Sequence, residues 1–113
     1  MIEEIFNKKS EGLDRFQKGV SLDALGKTEE AVELYREALK LCPDMAEAHY
    51  NLGLGLAILG KKEEAIRSWR RAVWINKDFQ HQLMSAFDIE HELREAEVVT
   101  LKELIMPRYR KVA

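Results

Sequence analysis

Residues 46–79 read AEAHYNLGLGLAILGKKEEAIRSWRRAVWINKDF, and residues 12–45 before them read GLDRFQKGVSLDALGKTEEAVELYREALKLCPDM. Aligned without a gap, the two stretches are identical at 11 of 34 positions. The identities include Gly19/Gly53, Leu22/Leu56, Gly26/Gly60, Ala31/Ala65 and Ala38/Ala72. Other apolar positions swap in kind: Phe16/Tyr50, Val20/Leu54, Val32/Ile66, Tyr35/Trp69 and Leu41/Ile75. Self-similarity at such a period marks a stack of like units, each unable to bury its apolar face alone.

Each unit reads as helix–turn–helix. Ala48, Leu52, Leu56 and Leu59 recur at helical spacing, and Ala65, Ile66, Trp69, Ala72 and Val73 form a second stripe. Between them Gly60 suits a left-handed helix cap. The first unit repeats this with Leu22 and Leu25, then Gly26, then Ala31, Leu34, Tyr35, Ala38 and Leu39. Pro43 ends that helix, because the residue before a proline is pushed out of the α region. Gly19 and Gly53, facing Ala31, Ala38, Ala65 and Ala72, permit close helix approach. A mid-helix glycine costs about 0.5–1 kcal/mol relative to alanine, so tight packing must offset it in both units.

At these residues the chain resembles the tetratricopeptide repeat family, whose pattern is W-x2-L-G-x2-Y, then A-x3-F, then P. The second unit has His49-x2-Leu52-Gly53-x2-Leu56 and Ala65-x3-Trp69; the first has Arg15-x2-Lys18-Gly19-x2-Leu22, Ala31-x3-Tyr35 and Pro43. Arg15 and His49 depart from the pattern at the aromatic position, Lys18 at the leucine position and Lys77 at the proline position. The resemblance implies an all-α fold: a right-handed stack of antiparallel helix pairs, an α-α solenoid. It implies a concave face built from the first helix of each pair that binds a peptide or helix of another protein, without catalysis. Carried onto this chain, the groove positions are Leu13, Phe16, Gln17, Val20 and Asp23 in the first unit. In the second they are Glu47, Tyr50, Asn51, Leu54, Ala57 and Ile58. The carboxylate clamp by which some members hold chaperone tails would need Lys at Phe16 and Asn at Val20, and only Asn51 agrees with it. The groove is instead apolar, which suits an amphipathic helix or an extended apolar peptide unless the chain's own ends fill it.

Two units are fewer than the three or so that such stacks need, so the flanks must cap the stack or a second copy must. Ile2, Ile5 and Phe6 predict a short N-terminal helix over residues 1–11 packed on the first pair. Residues 80–113 lose the repeat: Arg94 and Val99 stand where Gly and Ala would fall. From Gln80 to Met106 the composition is helical, as one helix or two breaking around 88–92, with a basic tail over 107–113. Leu83, Met84 and Phe87 are expected to cover the second pair as the first helix of a vestigial third unit. Trp74, whose counterpart is Lys40, should lie with Phe79 under the C-terminal segment or a second subunit. Trp74, Phe79, Leu83 and Phe87 are therefore the candidate capping or self-association residues.

The 113 residues hold one domain, 46% hydrophobic and 34% charged, which argues against disorder. The net charge is −2, from 18 basic and 20 acidic side chains. Split by position, residues 1–45 carry −3, 46–79 carry +2 and 80–113 carry −1. No basic excess points to nucleic acid, although Arg67, Arg70 and Arg71 leave RNA binding as a reserve reading. No apolar run spans a bilayer, the acidic start lacks the marks of a signal peptide, and the lone Cys42 needs no oxidising compartment. A cytoplasmic protein follows as the expectation. His49, His81 and His91 lack metal-ligand spacing, Gly53-x-Gly55 sits within a helix, and no catalytic constellation stands out. Neither cofactor, metal nor enzymatic activity is expected. The reading is a protein-binding scaffold or adaptor, with a self-associating homodimer as the alternative.

Overall fold

The structure, a computed structural model, describes residues 2–89, and for residues 84–89 only the backbone. Five helices follow one another among the described residues: α1 Ile2–Ala24, α2 Thr28–Leu41, α3 Ala46–Ile58, α4 Lys62–Ile75 and α5 Asp78–Ile89. Each helix packs on the next: α1 on α2, α2 on α3, α3 on α4, α4 on α5. This is a helical solenoid of two pairs followed by a fifth helix.

The turns inside the pairs are built identically. Gly26 and Gly60 have φ of 78° and 80°. Their amides donate to the carbonyls of Asp23 and Ala57, and the next residues, Lys27 and Lys61, donate to Leu22 and Leu56 at 2.9 and 2.8 Å. These two bonds satisfy carbonyls that the helix end leaves without partners, and the left-handed residue between them favours glycine. Helices α2 and α4 then start with Glu29 and Glu30, and Glu63 and Glu64, in their first turns, where the helix dipole favours carboxylates.

Small residues set the spacing of the layers. Ala31, Ala38, Ala48, Ala65 and Ala72 are fully buried. A Cβ on Gly19 would lie 2.7 Å from the Tyr35 ring, and one on Gly53 would lie 2.4 Å from that of Trp69. Each aromatic of the second helix thus lies against the bare backbone of the first. Gly55 does the same between pairs, where a Cβ would meet Val32 at 2.7 Å. One continuous core results, from Phe16 through Tyr35, Leu52, Leu56 and Trp69 to Leu83.

The N-terminal flank is not the short separate helix expected over 1–11. It is the beginning of α1, which runs unbroken for 23 residues. Nothing in the flank stops a helix, and Gly12, the nearest glycine, serves a close contact instead: a Cβ there would meet Cys42 Sγ at 2.6 Å. α2 ends beside this point, so the first turns of α1 project past it. Ile2, Ile5 and Phe6 are consequently exposed rather than packed on the pair.

At the other end, α5 begins where Asn76 Oδ1 accepts the Asp78 amide at 3.0 Å. Phe79 and Leu83 are buried, Leu83 completely. Trp74 is not covered with them; it is 80% exposed. Its position on α4 corresponds to exposed Lys40 on α2, a face the stacking of pairs does not use. The side chains of Met84 and Phe87, the one-or-two-helix question around 88–92 and the basic tail at 107–113 lie outside the described residues.

Candidate interaction surface

The groove positions fall on two parallel lines. Shifting by 34 residues carries Leu13, Phe16, Gln17 and Val20 of α1 onto Glu47, Tyr50, Asn51 and Leu54 of α3. Spacings of three, four and seven place each line on one helix face. Leu13 and Val20 are about half exposed, Gln17 is exposed, and Ile58 is 72% exposed. Tyr50, Asn51 and Leu54 are half-buried.

Phe16 is not part of an open surface. It is 9% exposed, and its ring sits 5.8 Å from that of Tyr35. Gly19, one turn on, lets α2 approach, and the Phe16 ring is enclosed against Tyr35 there. Its counterpart Tyr50 is less enclosed, and its ring rests 5.1 Å from Phe79 at the start of α5. A groove residue and a capping residue are thereby brought together. Burial raises the Tyr50 pKa above its ordinary value.

A polar network at the same junction was not anticipated from sequence. The Tyr35 hydroxyl, on α2, donates to Asp23 Oδ2 on α1 at 2.5 Å, and the Asn51 side chain of α3 stands close enough to act on the same hydroxyl. Burial, the hydrogen bond to Asp23 and the Asp23 charge push the Tyr35 pKa far up, against a smaller opposing effect of Asn51. The phenol is therefore neutral and ties α2 to α1 within the first unit. Asn51, assigned to the groove, stands beside this hydroxyl. The only sequence signal was the pairing of Tyr35 with a lone Asp23 where the second unit has Trp69 and Ala57.

Ion pairs complete the frame. Arg15 donates to Glu37 at 2.8 Å across the first pair, and Arg36 donates to Glu64 at 3.0 Å between units. The Arg36 hydrogen bond holds the Glu64 carboxyl below its usual value. The outer face of α1 is also charged. Where α3 turns Ala48, Leu52 and Gly55 toward the preceding pair, α1 carries Asp14, Lys18 and Ser21. Asp14 and Lys18 pair with each other at 3.3 Å in solvent. A polar outer face is how a terminal repeat ends a stack, and it explains Lys18 at the leucine position.

No helix among the described residues is long and apolar enough to cross a membrane. Two family models match the chain, one described as TPR repeat over residues 21–57 and one as Tetratricopeptide repeat over residues 46–78. No curated protein matches it. Repeats of this kind are generally protein–protein interaction modules and typically not enzymes. With helix pairs, glycine caps and aromatic-on-glycine contacts of the matching kind over residues 21–78, the chain belongs to the tetratricopeptide repeat family.

Proposed function

We propose that the α1 and α3 face receives the apolar side of an amphipathic helix or peptide from a partner protein. The observation that carries this reading is the exposed apolar set Leu13, Val20 and Ile58 beside half-buried Leu54 on successive first helices, with Val20 and Leu54 at corresponding positions. Fully covering one exposed apolar side chain contributes about 1.5–3 kcal/mol, less for one already half-buried, so several must be covered together to offset the costs of association.

The alternative, a homodimer formed by stacking copies end to end, meets the Asp14–Lys18 face at the N-terminal side. Burying that pair would cost desolvation that an apolar interface avoids.

The test is a peptide-display selection against the full chain, followed by affinity measurement on Val20→Glu and Leu54→Glu. Selected peptides should share apolar residues at helical spacing, and each variant should lose tenfold or more in affinity with unchanged circular dichroism. Peptides that bind the variants as well as the parent would sink the reading.

A further inference from the structure

The repeat symmetry exposes one place where the two units differ in charge. A shift of 34 residues takes Glu33 to Arg67, Glu37 to Arg71 and Lys40 to Trp74. These positions are four and then three apart on the second helix of each pair, so they share a face. On α2 the line reads Glu-Glu-Lys; on α4 it reads Arg-Arg-Trp. In the first unit Glu37 answers Arg15 across the pair. In the second unit the same two positions hold Arg71 and His49, so the carboxylate is gone. Burial, and to a smaller extent the Arg71 charge, lower the His49 pKa, which the hydrogen bond to Pro43 opposes. Arg67 and Arg71 are exposed and form no ion pair among the described residues. One turn beyond Arg71 stands Trp74, 80% exposed.

We propose that the Arg67–Arg71–Trp74 face of α4 docks an acidic segment of a partner protein, carrying carboxylates for the arginines beside an apolar side chain for the indole. Tryptophan and arginine are the residue types that dominate binding energy at interfaces. Both arginines accept carboxylates in two-pronged hydrogen bonds. Arg67 and Arg71 have no carboxylate within ion-pair distance among the described residues, and that defines what the partner must bring. The face is about 10 Å long, from seven residues at 1.5 Å rise. That length takes one or two carboxylates, whereas a nucleic acid is gripped through many phosphates. Residues 46–79 carry +2 and the rest of the chain carries −4, for a total of −2, and that surrounding negative charge repels an extended polyanion. The surface lies on a different helix from the groove and does not depend on it.

Fluorescence tests the assignment directly, because Trp69 is 4% exposed and Trp74 is the other tryptophan. The full chain is titrated at low salt with a synthetic peptide alternating Glu-Glu with Phe or Leu. A lysine analogue of that peptide and oligouridylate serve as comparisons. The acidic peptide should give a saturable blue shift. Arg67→Glu and Arg71→Glu should each weaken it about tenfold. The groove variant Leu54→Glu should bind it normally, which separates this site from the groove. Equal binding by the charge-reversed variants, or tighter binding of oligouridylate, overturns the proposal. So does a free chain whose exposed indole resists acrylamide quenching, since its own tail or a second copy would then occupy the face.

Discussion

Replacing Gly53 by alanine sets two effects of opposite sign against each other at one atom. The alanine gains about 0.8–1.0 kcal/mol of helix propensity. Its Cβ, however, would lie 2.4 Å from Trp69 Cδ1 and Nε1 and 2.9 Å from Cε2. Unstrained carbon contacts stand at about 3.5–4.0 Å, so the ring must move by roughly an ångström. Trp69 is 4% exposed and rigid, and it cannot swing into solvent. Overpacking of this kind costs typically 1–3 kcal/mol, and an immovable indole belongs at the upper end. The net expectation is a loss of about 1–2 kcal/mol, or a fall of roughly 5–10 °C in the unfolding midpoint. Urea unfolding followed by far-UV circular dichroism measures it. In a double-mutant cycle, Trp69→Phe should relieve the clash, with a favourable coupling above about 0.5 kcal/mol. If Gly53→Ala instead stabilises the chain by about 1 kcal/mol, propensity alone governs the site, and the argument that glycine serves helix approach here fails.

Leu83→Ala should cost about 2–4 kcal/mol in the same assay, since that side chain is fully buried on α5. Trp74→Ala should change stability by less than about 0.5 kcal/mol, and a larger loss would mean that the indole is covered in solution. His49 makes stability depend on acid. Its folded pKa is lowered, chiefly by burial, so its contribution is complete above the unfolded value near 6.5 and is lost as pH falls through the folded one. The midpoint of unfolding should drop on acidification below pH 6.5, and His49→Gln should flatten that part of the profile; an unchanged slope would refute the assignment.

The helix faces carrying the candidate surface were legible in the residues, and the departures at particular side chains have one cause. Periodicity assigns a side chain to a helix face but not to a neighbour. Phe16 and Tyr50 occupy equivalent positions, yet Phe16 is enclosed against Tyr35 while Tyr50 keeps a half-open face against Phe79. Asn51 lies on the expected line, yet it stands beside the Tyr35 hydroxyl. The charged outer face of α1 could have been read from the repeat alignment, since Asp14, Lys18 and Ser21 replace Ala48, Leu52 and Gly55.

By itself the sequence determined the helix pairs, their period, the left-handed turns at Gly26 and Gly60 and the close approaches at Gly19 and Gly53. These are local matters: backbone conformation, the angular spacing of apolar residues, and the absence of a Cβ. Only the tertiary structure decided that α1 runs unbroken through the flank, that Phe79 and Leu83 are buried while Trp74 is not, and that the Tyr35 hydroxyl ties α2 to Asp23 of α1. Those outcomes depend on which helix ends where and on what stands opposite each face. An apolar side chain carries the same transfer energy wherever it occurs, and it is realised only where a neighbour removes it from water.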